Sequence, residues 1–291
     1  MKIYDTRKLF EAGVLPAPPP IQDVEGLAMR LATLDFEFAA GALPELLTQA
    51  AKEAWGPIAF LDALIRLELE RREERRIRHA LKIAGLPPGQ TLASFDFAFQ
   101  PAVERSRIET LATCGWLREK STLLIQGPSG VGKTHLAVGL GVKAIECGFS
   151  VCFYRLEDLL AELRKHAEHP TERLKHKKYM ASNLLIIDEV GFQAMSREEA
   201  NLFFRVVSYR YGRGSICITT NKSIKDWPEM LAGDEALAMA TLDRLLHSSH
   251  VLNIRGRSYR LRDLEESLRL QKKPPDQPDS RPVTEPVVTT S

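Results

Sequence analysis

Apolar positions follow two different rhythms along the chain. From Gly26 to Leu86, Leu27, Leu31 and Leu34, then Leu43, Leu46 and Leu47, then Phe60, Leu61, Leu64, Ile65 and Leu67 recur at steps of three and four, which lines one face of a helix. Gly41 and the Gly56-Pro57 pair interrupt the run, so three or more helices in a small bundle are expected. Further on, STLLIQG, VCFY, NLLIID and ICITTN are short apolar runs ending in polar residues or glycine, separated by long helical stretches. Such runs suit strands buried on both faces of a parallel sheet, so an α/β core is expected to follow the helices. GLPPGQTL at 85–92 carries two prolines and two glycines and marks the boundary. The prolines of PAPPP at 16–20 fit neither a helix interior nor a central strand. The organisation expected is an extension over 1–25, a helical domain over 26–88, an α/β domain over 89–270 and, from its prolines and few apolar residues, a disordered tail over 271–291.

Composition narrows the class without choosing a function. The chain has 291 residues, 44% of them hydrophobic, enough for one large or two smaller cores, and a net charge of only +2. No apolar run reaches the length of a membrane span and MKIYDTRKLFEAG lacks a signal-peptide core, so a cytoplasmic protein with no membrane partner is expected. Cys114, Cys147, Cys152 and Cys217 form no C-x-x-C pair, which favours small buried hydrophobes over a disulfide framework or a thiolate zinc site. His166 with His169 and His247 with His250 are spaced by three, but neither pair has a carboxylate or cysteine at partner spacing, which argues against zinc.

The sharpest chemical signal is GPSGVGKT, which fits G-x-x-x-x-G-K-[ST] between an apolar strand and a helix. Backbone N–H groups of Gly127, Pro128, Ser129, Gly130, Val131, Gly132, Lys133, Thr134 and His135, proline excepted, are expected to close around phosphate oxygens, with glycine where the chain turns sharply. Lys133 is expected to reach the β and γ phosphates and Thr134 to place its hydroxyl on Mg2+. NLLIIDEVG puts Asp188 and Glu189 at the end of a strand, where open parallel sheets do their chemistry. Asp188 is expected to hold the Mg2+ shell and Glu189 to act as general base on the attacking water of ATP hydrolysis. Asn221, at the tip of ICITTN, is expected between the two earlier strand ends, hydrogen-bonded to the γ phosphate or the water.

Two basic clusters raise a nucleic-acid question. IRLELERREERRIRHALK carries seven Lys or Arg against four Glu; it reads either as a solvated helix with internal ion pairs or as a DNA contact through Arg71, Arg72, Arg75, Arg76 and Arg78. RLKHKKYM offers a second, loop-borne cluster of Arg173, Lys175, Lys177 and Lys178. DRLLHSSHVLNIRGRSYRLR near the end holds five arginines, a residue suited to bidentate recognition of phosphate or carboxylate.

The order of P-loop, DE-ending strand, Asn-ending strand and a helix with Asp-Arg-Leu resembles an AAA+ ATPase. KTHLAVGL, LLIIDEVGF, RYGRGSICITTN, GDEALAMATLDRLLH and GRSYRLR together resemble the IstB-like helper ATPases of insertion-sequence transposons, relatives of the DnaC helicase loaders, over about Leu27 to Leu268, including the FDF segment at Phe95 to Phe97. The resemblance implies an AAA+ core over 89–270 with a reduced lid, since only about 27 residues follow Arg244 before the tail. It implies that Arg244 reaches a neighbouring subunit's nucleotide as an arginine finger and that Arg260 contacts the nucleotide of its own subunit. Arg255, Arg257 and Arg262 receive no role. It further implies a homo-oligomer on double-stranded DNA of low sequence specificity, a partner transposase, and ATP hydrolysis that resets the assembly. A replicative helicase loader on the same core, and a P-loop interaction protein that binds nucleotide without turnover, are the alternatives.

Overall fold

The computed structural model describes residues 23–262, so PAPPP and the proline-rich tail lie outside the described residues. The chain divides into two compact units between His79 and Ala80. The division falls inside a long helix and ahead of GLPPGQTL.

The N-terminal unit contains α1 (Val24–Thr33), α2 (Glu37–Lys52) and the larger part of α3 (Pro57–Ala84). Asp23 caps α1 through Gly26 N. Gly41 does not break the run; it sits inside α2, as does Pro44. The break comes earlier, at Asp35, whose φ of 62° is a left-handed conformation that short Asp side chains tolerate. Ala39, Leu43 and Leu64 form the buried centre, with Leu27, Leu31, Phe36, Leu46, Leu47 and Phe60 packed around them.

A buried carboxylate ties this unit together. Glu68, 2% exposed, accepts hydrogen bonds from Ala39 N at 2.8 Å and Arg72 Nε at 2.6 Å. Burial by itself raises its pKa, but the Ala39 N–H and the Arg72 guanidinium outweigh that and hold it below the usual glutamate value. Its contribution to stability is therefore complete above the ordinary glutamate range and is lost as pH falls through the depressed folded-state value. Glu68→Ala orphans a buried N–H and is expected to cost roughly 1–3 kcal/mol in urea unfolding, with Glu68→Gln recovering part because its amide oxygen still accepts.

The second unit holds α4 (Arg105–Ala112), α5 (Gly115–Arg118), β1 (Thr122–Gln126), α6 (Lys133–Glu146), β2 (Val151–Arg155), α7 (Leu156–Arg164), α8 (Thr171–Leu174), α9 (Lys178–Ala181), β3 (Leu184–Val190), α10 (Arg197–Arg210), β4 (Ser215–Thr220), a 3-10 turn (Ile224–Asp226), α11 (Trp227–Met230), α12 (Glu235–Leu246) and β5 (Ser249–Asn253). All sheet pairings are parallel, in the order β2-β3-β4-β1-β5. This is the expected α/β core with helices on its faces. The four apolar runs became β1 to β4; β1, β3 and β4 are buried along most of their lengths because helices cover the sheet, while β2, at an edge, is buried only at Val151 and Cys152. β5, which sequence reading passed over, lies inside the arginine-rich stretch; it is an edge strand with only Val251 and Leu252 apolar, so its signal is weak.

RLKHKKYM is not a plain loop, for it contains α8 and the start of α9. Three cysteines are buried, but Cys147, which ends α6, is exposed. Among the described residues no helix is long and apolar enough to cross a membrane.

Candidate nucleotide site

The sheet order places β4 between β1 and β3, so the carboxyl ends of the three central strands converge. Gln126 of β1 and Val190 of β3 both align with Thr220, and an irregularity between Ile187 and Val190 turns the end of β3. A cavity of about 390 Å³ opens there, lined by Ser129, Gly130, Gly132, Lys133, Thr134, His135, Glu189, Asn221 and Arg260 among others.

Local chemistry sets the P-loop's shape. Gly132 caps α6 with φ 93°, and a Cβ there would come within 2.7 Å of the Phe95 ring. Gly130, at φ 79°, leaves no room for a side chain against Ser258. Glycine is required at both for conformation and for space. Lys133 folds back, donating to Gly127 O at 2.8 Å and Pro128 O at 2.7 Å. Burial lowers its pKa; Asp188 and Glu189 oppose that shift and Arg260 adds to it. His135 Nε2 lies 2.8 Å from Thr91 O and 3.1 Å from Ser94 Oγ, tying the start of α6 to the segment before the core.

Beneath the cavity wall, Thr134 Oγ1 donates to both Asp188 oxygens, at 2.9 and 3.1 Å. Asp188, 3% exposed, also accepts from Thr219 Oγ1, which in turn accepts from Glu189 N at 3.0 Å. The Glu189 backbone has φ 62°, a left-handed geometry uncommon for a non-glycine residue and frequent at functional sites. Its carboxylate is partly exposed and lies 3.9 Å from Arg155 Nε at the end of β2. Asn221, just beyond β4, is exposed on the cavity rim. Two hard oxygen donors, a loop of N–H groups, a lysine and a separate carboxylate thus share one cleft, an arrangement suited to a polyphosphate and a divalent cation.

The two arginines fall in different places. Arg260 Nη1 lies 3.4 Å from Ser129 Oγ, at the mouth of the P-loop. Arg244, on α12, donates to Ala240 O at 2.7 Å and stacks over the Phe204 ring. It lines a separate hollow with Lys120, Thr122 and Gly214. That hollow lies at the amino ends of β1 and β4, so within one chain Arg244 does not join the nucleotide cavity.

Among the DNA candidates, Arg71 pairs with Glu74, Arg72 with Glu68, Arg75 with Glu37 and Arg76 with Glu73, while Arg78 is exposed. Arg72 and Arg75 also stack over Phe36 and Phe38. Internal ion pairing, one of the two readings of this helix, therefore engages four of these five side chains. Arg173, Lys175 and Lys178 are exposed and Lys177 is partly so.

Sequence reasoning passed over Thr219, Gln90, Ser94, Asp96 and Tyr259. Thr219 reads in the sequence as an ordinary β-branched strand residue, so nothing in its spacing marked it. The others lie outside the P-loop and strand-end motifs, in GLPPGQTL, the FDF region and the arginine-rich stretch.

The family model described as "IstB-like ATP binding protein" matches residues 29–267. The chain is 42% identical over 237 residues to the Pseudomonas aeruginosa protein named "Insertion sequence IS21 putative ATP-binding protein", covering 81% of this chain and 89% of that one. It is 38% identical over 204 residues to the corresponding protein of insertion sequence IS5376 from Geobacillus stearothermophilus, covering 70% and 81%. The crystal structure of the DnaC helicase loader matches 52% of this chain and 87% of its own with TM-score 0.43 and 22% identity. The chain belongs to the IstB-like ATP binding protein family and is a nucleotide-binding ATPase whose core is a parallel five-stranded sheet.

Proposed function

We propose that this ATPase is a transposition helper that oligomerises on double-stranded DNA, presents target DNA to a partner transposase, and uses ATP hydrolysis to release the assembly. The observation that carries the reading is the Thr134–Asp188–Thr219–Glu189 network facing the P-loop, in a chain so similar to insertion-sequence ATP-binding proteins. Lys133 exchanges the Gly127 and Pro128 carbonyls for β and γ phosphate oxygens, while P-loop N–H groups hold the rest. Thr134 Oγ1 and the Asp188 carboxylate are the two oxygen donors that would hold Mg2+, which when bound would neutralise negative charge on the phosphates. Glu189 takes the proton of the attacking water, Asn221 orients that water or the γ phosphate, and Arg260 contacts the nucleotide of its own chain. Arg244 acts on the nucleotide of the next subunit, which suits its place away from its own cavity.

DNA is held through phosphates by the 173–178 segment, with the arginine face of α3 contributing where its ion pairs can exchange. The chain that follows the 173–178 segment is anchored: Arg210, fully buried, donates to the carbonyls of Tyr179, Met180, Ser182, Asn183 and Ser215. Burial lowers the Arg210 pKa to about 10, so it stays charged at neutral pH. Duplex binding followed by fluorescence anisotropy with a non-hydrolysable ATP analogue tests the reading. Affinity is expected to fall steeply and log-linearly with salt, and Lys177→Ala with Lys178→Ala to reduce the slope by about 2. Binding that is absent, or insensitive to salt, contradicts it.

A further inference from the structure

Beyond β5 the chain runs back over the P-loop, where Tyr259 N donates to Gly130 O at 2.8 Å. The FDFAFQ segment grips this stretch. The Phe99 ring lies 4.3 Å from that of Tyr259 and tilted by 38°. The guanidinium groups of Arg257 and Arg262 sit over the same ring at 5.4 and 5.5 Å. Asp96 adds three ties: its carboxylate accepts from Phe99 N at 3.0 Å, its carbonyl accepts the Tyr259 hydroxyl at 2.5 Å, and Arg262 lies 3.6 Å from its other oxygen. Fully buried Gln100 donates to Arg257 O at 2.5 Å. Gly256 leaves no space for a Cβ against Gln100, so the backbone passes hard against it.

All these contacts bracket Arg260, whose own side chain makes a long contact with Ser129 among the described residues. Two arginines and a tyrosine on one ring fix the backbone on either side of it. We propose that Phe99 is a positioning residue for ATP hydrolysis: by clamping Arg257, Tyr259 and Arg262 it holds Arg260 over the P-loop. This rests on the reading of Arg260 as a nucleotide contact. It also gives Arg257 and Arg262 a purpose that their sequence did not.

The test is steady-state ATP hydrolysis by the full chain for Phe99→Ala, Phe99→Tyr, Arg260→Ala and the Phe99→Ala/Arg260→Ala double variant. Phe99→Ala is expected to lower kcat/KM about tenfold, since a small misplacement of a charged group costs that much or more. Phe99→Tyr restores the rate to within about twofold, and the double variant is no slower than Arg260→Ala, because the two residues act as one unit. If Phe99→Ala shows no folded thermal transition, Phe99→Leu, which keeps apolar bulk but removes the ring face, takes its place in the cycle. Multiplying defects in the double variant, or a normal rate for the Phe99 variant beside an impaired Arg260→Ala, overturn the clamp alone. A normal rate for Arg260→Ala overturns the reading of Arg260 and the clamp with it.

Discussion

Glu189→Gln is expected to bind ATP as the parent does and to hydrolyse it about 10²–10⁴ times more slowly, the range that removal of a general base produces. The expectation comes from how the residue is held. Its N–H is fixed on Thr219 Oγ1, its backbone is set at φ 62°, and its carboxylate faces the nucleotide cavity. Asp188, one residue earlier, is committed to Thr134 and Thr219, so the two carboxylates are separated by role as well as by position. Glutamine preserves shape and hydrogen bonding but cannot accept the proton. Single-turnover hydrolysis with pre-bound ATP isolates the step, and turnover at the parental rate contradicts the assignment. The variant should also accumulate on DNA, because the ATP-bound assembly no longer resets.

Arg244→Ala carries the second large effect, a loss of about 10³-fold or more in hydrolysis, as removal of an arginine finger elsewhere costs. Within its own chain Arg244 is stacked on Phe204 and bonded to Ala240 O, outside the nucleotide cavity. The loss should therefore be intermolecular. Mixing Arg244→Ala subunits, which keep an intact P-loop, with Lys133→Ala subunits, which keep the arginine, is expected to restore part of the activity. No recovery at any mixing ratio contradicts a finger acting between subunits.

What could be read from the residues was whatever the local chain had to encode. Gly130 and Gly132 occupy conformations and spaces that exclude other residues, so the P-loop was legible before any fold was known. The four apolar runs announced buried strands for the same reason. Gly41 misled because a helix packed by Ala39 and Leu43 absorbs a glycine that an isolated helix would not. β5 was hidden because an edge strand needs few apolar residues. Thr219 looked like an ordinary strand former, and only strand pairing brings its hydroxyl to Asp188. Phe99 and its arginines lie more than 150 positions apart in the chain, joined by contacts that no sequence spacing encodes.

The most direct test of an ATP-controlled assembly on DNA is the mass of the protein–duplex complex by sedimentation velocity, with a non-hydrolysable ATP analogue and then with ADP. A multi-subunit complex on duplex DNA with the analogue, falling apart with ADP, is the result predicted, and electron microscopy of the same sample would show the protein arrayed along DNA. A single subunit on DNA, or the same mass with either nucleotide, would contradict it.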